Sequence, residues 1–317
     1  MLKMLIVETS RVSINSTVAH VRNSIELNRL LSDSFDCRLV DLMSVPKDVE
    51  QFDIILFSYA GMGCDYSKIN KIIDAQKSCR IGWITNEFEL FANDYVKQRM
   101  DFIITNFEEH GVKQAHEYND FLMVNLNTLI FNGVNEYCDK KYDYCYFGTY
   151  RKYREGYFKK YFRDDFILST TKKNFKKFID LDLNCKITDK FCTKANEETL
   201  NLFKSTLYIE DTKTHSCFNF MANRFYEALQ CNVALFFDSS CRNTIEKDAY
   251  QIDDYFIVDS FDELRRKTSN LDIDKLNEHT YVNQQIALKE KLKAVNNIKE
   301  FLSGITKGNH SDQLSLI

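Results

Sequence analysis

The chain has 317 residues, 44% hydrophobic and 28% charged, with 25 Phe and 17 Tyr, and 42 Lys/Arg against 46 Asp/Glu give a net charge of −4. This composition excludes a disordered chain, and the length exceeds the roughly 250–300 residues at which a single core stops growing, so two domains or one large doubly wound domain are expected. No stretch of eighteen uncharged apolar residues occurs and Met1–Glu8 reads as a strand entering a polar loop, so a cytoplasmic protein with no membrane partner is expected.

Strand and helix patterns alternate along the first half. Leu2–Val7 is a short apolar run, and Arg22–Leu31 follows with helical spacing at Ile25, Leu27, Leu30 and Leu31. Cys37–Leu42 and Asp53–Tyr59 read as strands, the second ending at Gly61-Met62-Gly63. A helix over Tyr66–Ala75, a strand over Arg80–Thr85, a helix over Leu90–Met100, a strand over Asp101–Thr105 and an apolar run over Phe121–Val124 continue the rhythm of a parallel sheet. After the polar stretch Asn132–Lys141 the rhythm restarts: strand Tyr142–Phe147, helix Arg154–Phe162, strand Phe166–Ser169, helix Asn174–Ile179, strand Leu207–Glu210, helix Phe218–Leu229, and strands Val233–Phe237 and Tyr255–Val258. Two successive runs of βα units imply two Rossmann-like domains. A long amphipathic helix over Ile273–Leu302 is expected to cross back over the first domain, ahead of a polar tail.

Ten cysteines contain no C-x-x-C pair and mostly sit in apolar runs, so buried thiols in a reducing compartment are expected. Charge is uneven: Lys140–Asp180 holds twelve Lys/Arg against five Asp/Glu, or +7, which leaves −11 for the rest. A basic segment within an acidic protein points to a confined anion site.

The most informative stretch is Asp211-Thr212-Lys213-Thr214-His215-Ser216-Cys217, leading into Asn223-Arg224-Phe225-Tyr226-Glu227-Ala228-Leu229 and a short apolar strand. A polar loop opening a helix presents free backbone N–H groups and a positive dipole end, which can hold a diphosphate without a metal. Glu227, expected about three turns into the helix, would accept bonds from two ribose hydroxyls. Here the sequence resembles the second domain of GT-B glycosyltransferases, whose nucleotide-sugar signature R-F-x-E-A-L is matched by Arg224–Leu229. Two departures stand out: Cys231-Asn232 occupies the place where many members have Gly, and no glycine-rich turn precedes the helix.

A second motif, Phe147-Gly148-Thr149-Tyr150-Arg151-Lys152-Tyr153-Arg154, follows the first strand of the second domain. The resemblance implies that Arg151, Lys152 and Arg154 reach the donor's phosphates, where a planar guanidinium binds a pyrophosphate bidentately and neutralises the departing nucleotide. Together with Tyr157–Phe162 the motif is also similar to a group of bacteriophage glycosyltransferases. The expected donor contacts are Arg151, Lys152, Arg154, His215, Ser216, Cys217, Arg224 and Glu227.

In the first domain the loops following strands carry His20, Asp65 and Glu87, each able to take the proton of an attacking hydroxyl in an inverting transfer; a retaining enzyme needs no such base. The chain ends in Gln313-Leu314-Ser315-Leu316-Ile317, which resembles the Q-L-[SD]-L-F pentapeptide that binds the bacterial β sliding clamp, behind a polar spacer over Gly304–Asp312. Such a segment would insert Leu316 and Ile317 into an apolar pocket while Gln313 makes directional hydrogen bonds.

The resulting expectation is an α/β protein of GT-B fold, two Rossmann-like domains facing across a cleft. Residues 1–138 would form the acceptor domain, 139–272 the nucleotide-sugar domain, 273–303 the returning helix and 304–317 a flexible tail. The resemblances imply transfer of a sugar from a nucleotide sugar, expected to be UDP-linked, to a hydroxyl on a hydroxymethylated pyrimidine in phage DNA, with no obligatory metal and with the sliding clamp as partner. The alternatives are a transferase acting on a cell-surface glycan or protein, and a non-catalytic nucleotide-binding protein that docks on the clamp.

Overall fold

The structure, a computed structural model, describes residues 1–10, 14, 19–58, 64–76, 78–85, 98–106, 120–134, 139–189, 200–210 and 220–311. The chain divides into two compact units, Met1–Ile130 with Glu290–Ile317, and Phe131–Lys289.

In the first unit β1 (Lys3–Glu8), β2 (Asp36–Asp41), β3 (Ile54–Ser58), β4 (Arg80–Thr85), β5 (Phe102–Thr105) and β6 (Asp120–Met123) form one sheet in the order β2-β1-β3-β4-β5-β6. All of its pairings are parallel. The continuous apolar runs explain this: every residue of β3 and β5 is buried, as a parallel sheet covered on both faces requires. Gly82 in β4 is needed because a Cβ there would stand 2.1 Å from the Phe102 ring on the neighbouring strand. Helices α1 (Ala19–Leu31) and α2 (Tyr66–Asp74) alternate with the strands. Leu27 and Leu31 of α1 join Met4, Ile54, Phe102 and Ile104 in the core.

The second unit repeats the plan with β7 (Tyr142–Phe147), α3 (Glu155–Tyr161), β8 (Ile167–Ser169), α4 (Lys172–Ile179), β9 (Lys186–Thr188) and β10 (Phe203–Tyr208), then α5 (Asn223–Gln230), β11 (Ala234–Asp238), α6 (Arg242–Lys247), β12 (Ile257–Val258) and α7 (Phe261–Ser269). Its sheet runs β12-β11-β10-β7-β8-β9, again parallel throughout. The core is aromatic: Tyr144, Tyr146, Phe158, Phe162, Phe166 and Phe178 pack together, with Phe162 and Phe166 stacked at 4.8 Å between centroids.

The last helix, α8, spans Ile273–Ser311. Leu276 belongs to the core of the second unit, and Ala294, Val295, Ile298 and Leu302 to that of the first. A buried ion pair, Lys291 to Glu26 at 3.0 Å, and a second from Lys299 to Asp33 at 2.7 Å, tie this stretch to α1 and the turn after it.

Several expectations need correction. The helix carrying Glu227 begins at Asn223 and not at Phe218, because residues 220–222 are non-helical and Ala222 is extended. Glu227 therefore lies in the second turn, not the third. The Gly304–Ser311 part of the expected spacer is helical: it contains no proline, and its two glycines, Gly304 and Gly308, disfavour the helix without removing a backbone donor. Asn232 resolves one departure from the family pattern: its φ of +46° is the left-handed conformation for which glycine is the usual choice and which asparagine tolerates. Of the cysteines described, Cys64, Cys145, Cys231 and Cys241 are buried, while Cys37, Cys79 and Cys185 are only partly so. Burial nonetheless pushes the last three thiols up to about 11, leaving them protonated and unreactive at neutral pH. Among the described residues no helix is long and apolar enough to cross a membrane.

Candidate active site

Ligands of open parallel sheets bind beyond the carboxyl ends of the strands, where the strand order reverses. In the second unit that point is the β7/β10 junction, since β8 and β9 lie to one side of β7 and β10–β12 to the other. The sequence places Tyr146 near the end of β7, Glu210 two residues past β10, Arg154 in the turn before α3 and Arg224 in the first turn of α5.

These four side chains meet. Arg154, only 4% exposed, forms an ion pair through Nη2 with Glu210 and holds its Nη1 3.3 Å from the Tyr146 hydroxyl. Arg224 Nε stands 3.7 Å from the other Glu210 oxygen, and its guanidinium lies 4.7 Å from the centre of the Tyr146 ring. Two guanidiniums thus share one carboxylate, a surplus of one positive charge. Arg224 Nη1 is buried without a hydrogen-bond partner among the described residues. Burial pushes the Tyr146 phenol up, but Arg224 and then Arg154 pull it further down, to below its ordinary value. A desolvated cationic pair with an unused donor is suited to an anion with several oxygens, a diphosphate among them.

The chain before α5 is tied down by two bonds: Ala222 N–H donates to the Tyr208 hydroxyl at 2.8 Å, and Met221 N–H to Asp248 at 2.6 Å. Glu227 is buried three residues beyond Arg224 on the same helix. Of the expected donor contacts, Arg154 and Arg224 are brought together; Arg151 and Lys152 are exposed and stand outside the cluster. His215, Ser216 and Cys217 lie outside the described residues.

The first unit has its own reversal, between β1 and β3. Glu8, the last residue of β1, is wholly buried there and accepts from Ser10 N–H at 3.1 Å and from the Ser24 hydroxyl. Ser24 Oγ also lies 2.5 Å from Ser58 Oγ at the end of β3, and Thr9 Oγ1 donates to the Ser58 carbonyl at 3.1 Å. Burial raises the Glu8 carboxyl above its ordinary range, more than the bonds from Ser24 and Ser10 lower it. Such a carboxyl exchanges its proton nearer to neutrality than a surface glutamate does.

Glu8, Glu210 and Tyr146 are not among the site residues expected from the sequence. The signal for the two glutamates was a carboxylate closing an apolar strand, Leu5-Ile6-Val7-Glu8 and Leu207-Tyr208-Ile209-Glu210, where an apolar residue would ordinarily continue the core. Among the expected bases, Asp65 caps α2, accepting from the Ser67 hydroxyl at 2.7 Å and Lys68 N–H at 3.3 Å; these bonds, Ser67 foremost, lower its carboxyl and weaken it as a base. His20 falls in the first turn of α1, its side chain outside the described residues, and Glu87 lies outside them entirely.

No protein-family description matches the sequence, and no curated protein matches it. Solved structures do. The DNA-modifying enzyme β-glucosyltransferase, determined with and without uridine diphosphoglucose, superposes with a TM-score of 0.70 over 96% of this chain and 100% of its own, at 15% identity. A T4 phage β-glucosyltransferase in complex with UDP and Mn2+ gives 0.69 at 15% identity, over 96% of this chain and 99% of its own. An α-glucosyltransferase in complex with UDP-glucose and DNA containing an abasic site gives 0.61 at 12% identity, over 93% and 99%. The chain has the GT-B fold of these enzymes.

Proposed function

We propose that this protein is a glycosyltransferase that moves a sugar from a nucleotide sugar, UDP-linked, to a hydroxyl on a hydroxymethylated pyrimidine in DNA. The observation that carries the reading is the buried Arg154–Glu210–Arg224 cluster at the strand-order reversal of the second unit, in a chain that shares its fold with DNA-modifying glucosyltransferases. The acceptor oxygen attacks the anomeric carbon, the bond from that carbon to the diphosphate oxygen breaks, and the hydroxyl proton is lost. Arg154 and Arg224, joined by Arg151 and Lys152, neutralise the charge that grows on the departing diphosphate. His215, Ser216 and Cys217 would offer it backbone N–H groups, and Glu227 would accept from the ribose hydroxyls.

For the acceptor's proton, Glu87 and His20 suit the role better than Asp65, whose capping bonds hold it at low pKa. The enzymatic reading is tested against a mere nucleotide-binding module by incubating the protein with UDP-glucose alone. Slow release of UDP is expected, and binding without any turnover would contradict it.

The terminal Gln313–Ile317, outside the described residues, we read as a β sliding clamp ligand on the strength of its sequence. Tethering there would raise the local concentration of an acidic enzyme at newly made DNA. Deleting the pentapeptide should abolish co-elution with the clamp and leave turnover on short oligonucleotides unchanged; co-elution that survives the deletion would contradict the assignment.

A further inference from the structure

Helix α4 reads Lys-Lys-Asn-Phe-Lys-Lys-Phe-Ile, and it buries Asn174 and Phe178 while Lys172, Lys173, Lys176 and Lys177 are all exposed. Positions i, i+1, i+4 and i+5 fall on one side of a helix, so the four ammonium groups share a face opposite the core. The arrangement works against the helix itself. Lys172–Lys176 and Lys173–Lys177 are like-charge i,i+4 pairs, and two lysines at the N-terminus oppose the helix dipole. An ordinary solvated face interleaves both signs, yet α4 carries no acidic residue, and among the described residues only its Lys172 pairs with a carboxylate, through a 3.7 Å approach to Asp189.

The helix stands beside the carboxyl edge of the sheet. Thr170 Oγ1, just before it, donates to the Gly148 carbonyl at 2.7 Å, and Lys177 Nζ lies 5.4 Å from the centre of the Tyr150 ring in the loop that leads to Arg154. The same loop exposes Arg151, Lys152 and 64% of Tyr153. Positive charge in this unit is therefore partitioned: a buried arginine pair around Glu210, and an exposed lysine face whose one carboxylate partner among the described residues is Asp189.

We propose that the lysine face of α4 is a docking surface for the phosphate backbone of duplex DNA, distinct from the buried arginine cluster. A row of point charges on long flexible stems suits a sequence-independent polyanion, whereas buried planar guanidiniums suit a small anion of fixed geometry. The proposal rests on the reading of DNA as acceptor.

The test replaces all four lysines with glutamine and measures binding of an unmodified 20-base-pair duplex against salt concentration, on the full chain. The slope of log Kd against log salt should fall by about 0.9 for each phosphate that is no longer neutralised, a drop of about 2–4 in all. UDP-glucose affinity should be unchanged, and the thermal midpoint should hold or rise because repulsion is relieved. An unchanged slope and DNA affinity would overturn the surface. So would a loss confined to an acidic polypeptide such as polyglutamate, which would assign the helix to a protein partner. If the wild-type protein glucosylates hydroxymethylated DNA and the variant does so with the same KM at every salt concentration, the surface is wrong and the acceptor reading stands. If the wild-type protein neither binds nor modifies DNA, both fall.

Discussion

The guanidinium of Arg224 stands 4.7 Å from the centre of the Tyr146 ring while Arg154 reaches the hydroxyl of the same ring at 3.3 Å, so one phenol is flanked by two cations that also share Glu210. The arrangement gives the two loop arginines opposite characters. Arg154 is buried and paired, Arg151 exposed. Removing one partner of a buried ion pair leaves the other charge uncompensated, so Arg154→Ala should cost about 3–5 kcal/mol of folding stability. Arg151→Ala should stay within about 0.5 kcal/mol of wild type and lower turnover instead. Urea unfolding and steady-state kinetics separate the two; equal stability losses would contradict this assignment of buried and exposed arginines.

Glu227 is expected to bind the donor's ribose. Each hydrogen bond to a charged acceptor contributes about 1.5–3 kcal/mol, so Glu227→Ala should weaken nucleotide-sugar binding at least tenfold with the circular dichroism spectrum preserved. Calorimetry that finds donor affinity unchanged would remove this residue from the site.

The plan of alternating strands and helices could be read from the chain because parallel strands buried on both faces leave unbroken apolar runs, as in Met4–Val7 and Ile54–Phe57. Short amphipathic pieces were harder. The helix α7 was not anticipated although Ser260-Phe261-Asp262-Glu263 carries a capping signature, with the Ser260 hydroxyl accepting from Glu263 N–H at 3.2 Å. β9, three residues long at a sheet edge, has too few positions to show a period. At the site, basic residues next to a strand end were visible as charge in a run of sequence. The carboxylate that organises them was not, because Glu210 lies 56 residues from Arg154 and their pairing depends on β7 and β10 being neighbours.

Glu8 gives a pH dependence of defined sign. Its folded-state pKa is raised above the ordinary value of 4.5, so the stability linked to its protonated form is fully present below about pH 4.5 and is lost as pH rises through the folded value. Glu8→Gln keeps an acceptor for Ser10 N–H and carries no charge. The variant should gain stability relative to wild type as pH rises above about 4.5 and then hold a constant advantage. Thermal midpoints measured from pH 4 to 8 that run parallel for the two proteins would contradict a raised Glu8.

Donor binding is expected to need no divalent cation, since the arginine pair supplies the counter-charge. The paired aspartates Asp253-Asp254 are engaged elsewhere: Asp253 accepts from Tyr255 N–H at 2.7 Å and pairs with Lys275 at 3.4 Å, and Asp254 pairs with Arg242 at 3.0 Å. Activity should persist in chelator, even though one structurally similar enzyme was solved with UDP and Mn2+. Complete loss restored by magnesium or manganese would show that an ion is obligatory.

The measurement that bears most directly on the central claim is mass spectrometry of nucleosides released from hydroxymethylated DNA after incubation with the protein and a panel of nucleotide sugars. A mass increase of one sugar on the hydroxymethylated pyrimidine, with UDP-linked donors and absent from the Glu227→Ala reaction, is the predicted result. Unmodified nucleosides with every donor, alongside sugar transfer to a glycan or protein acceptor, would contradict it.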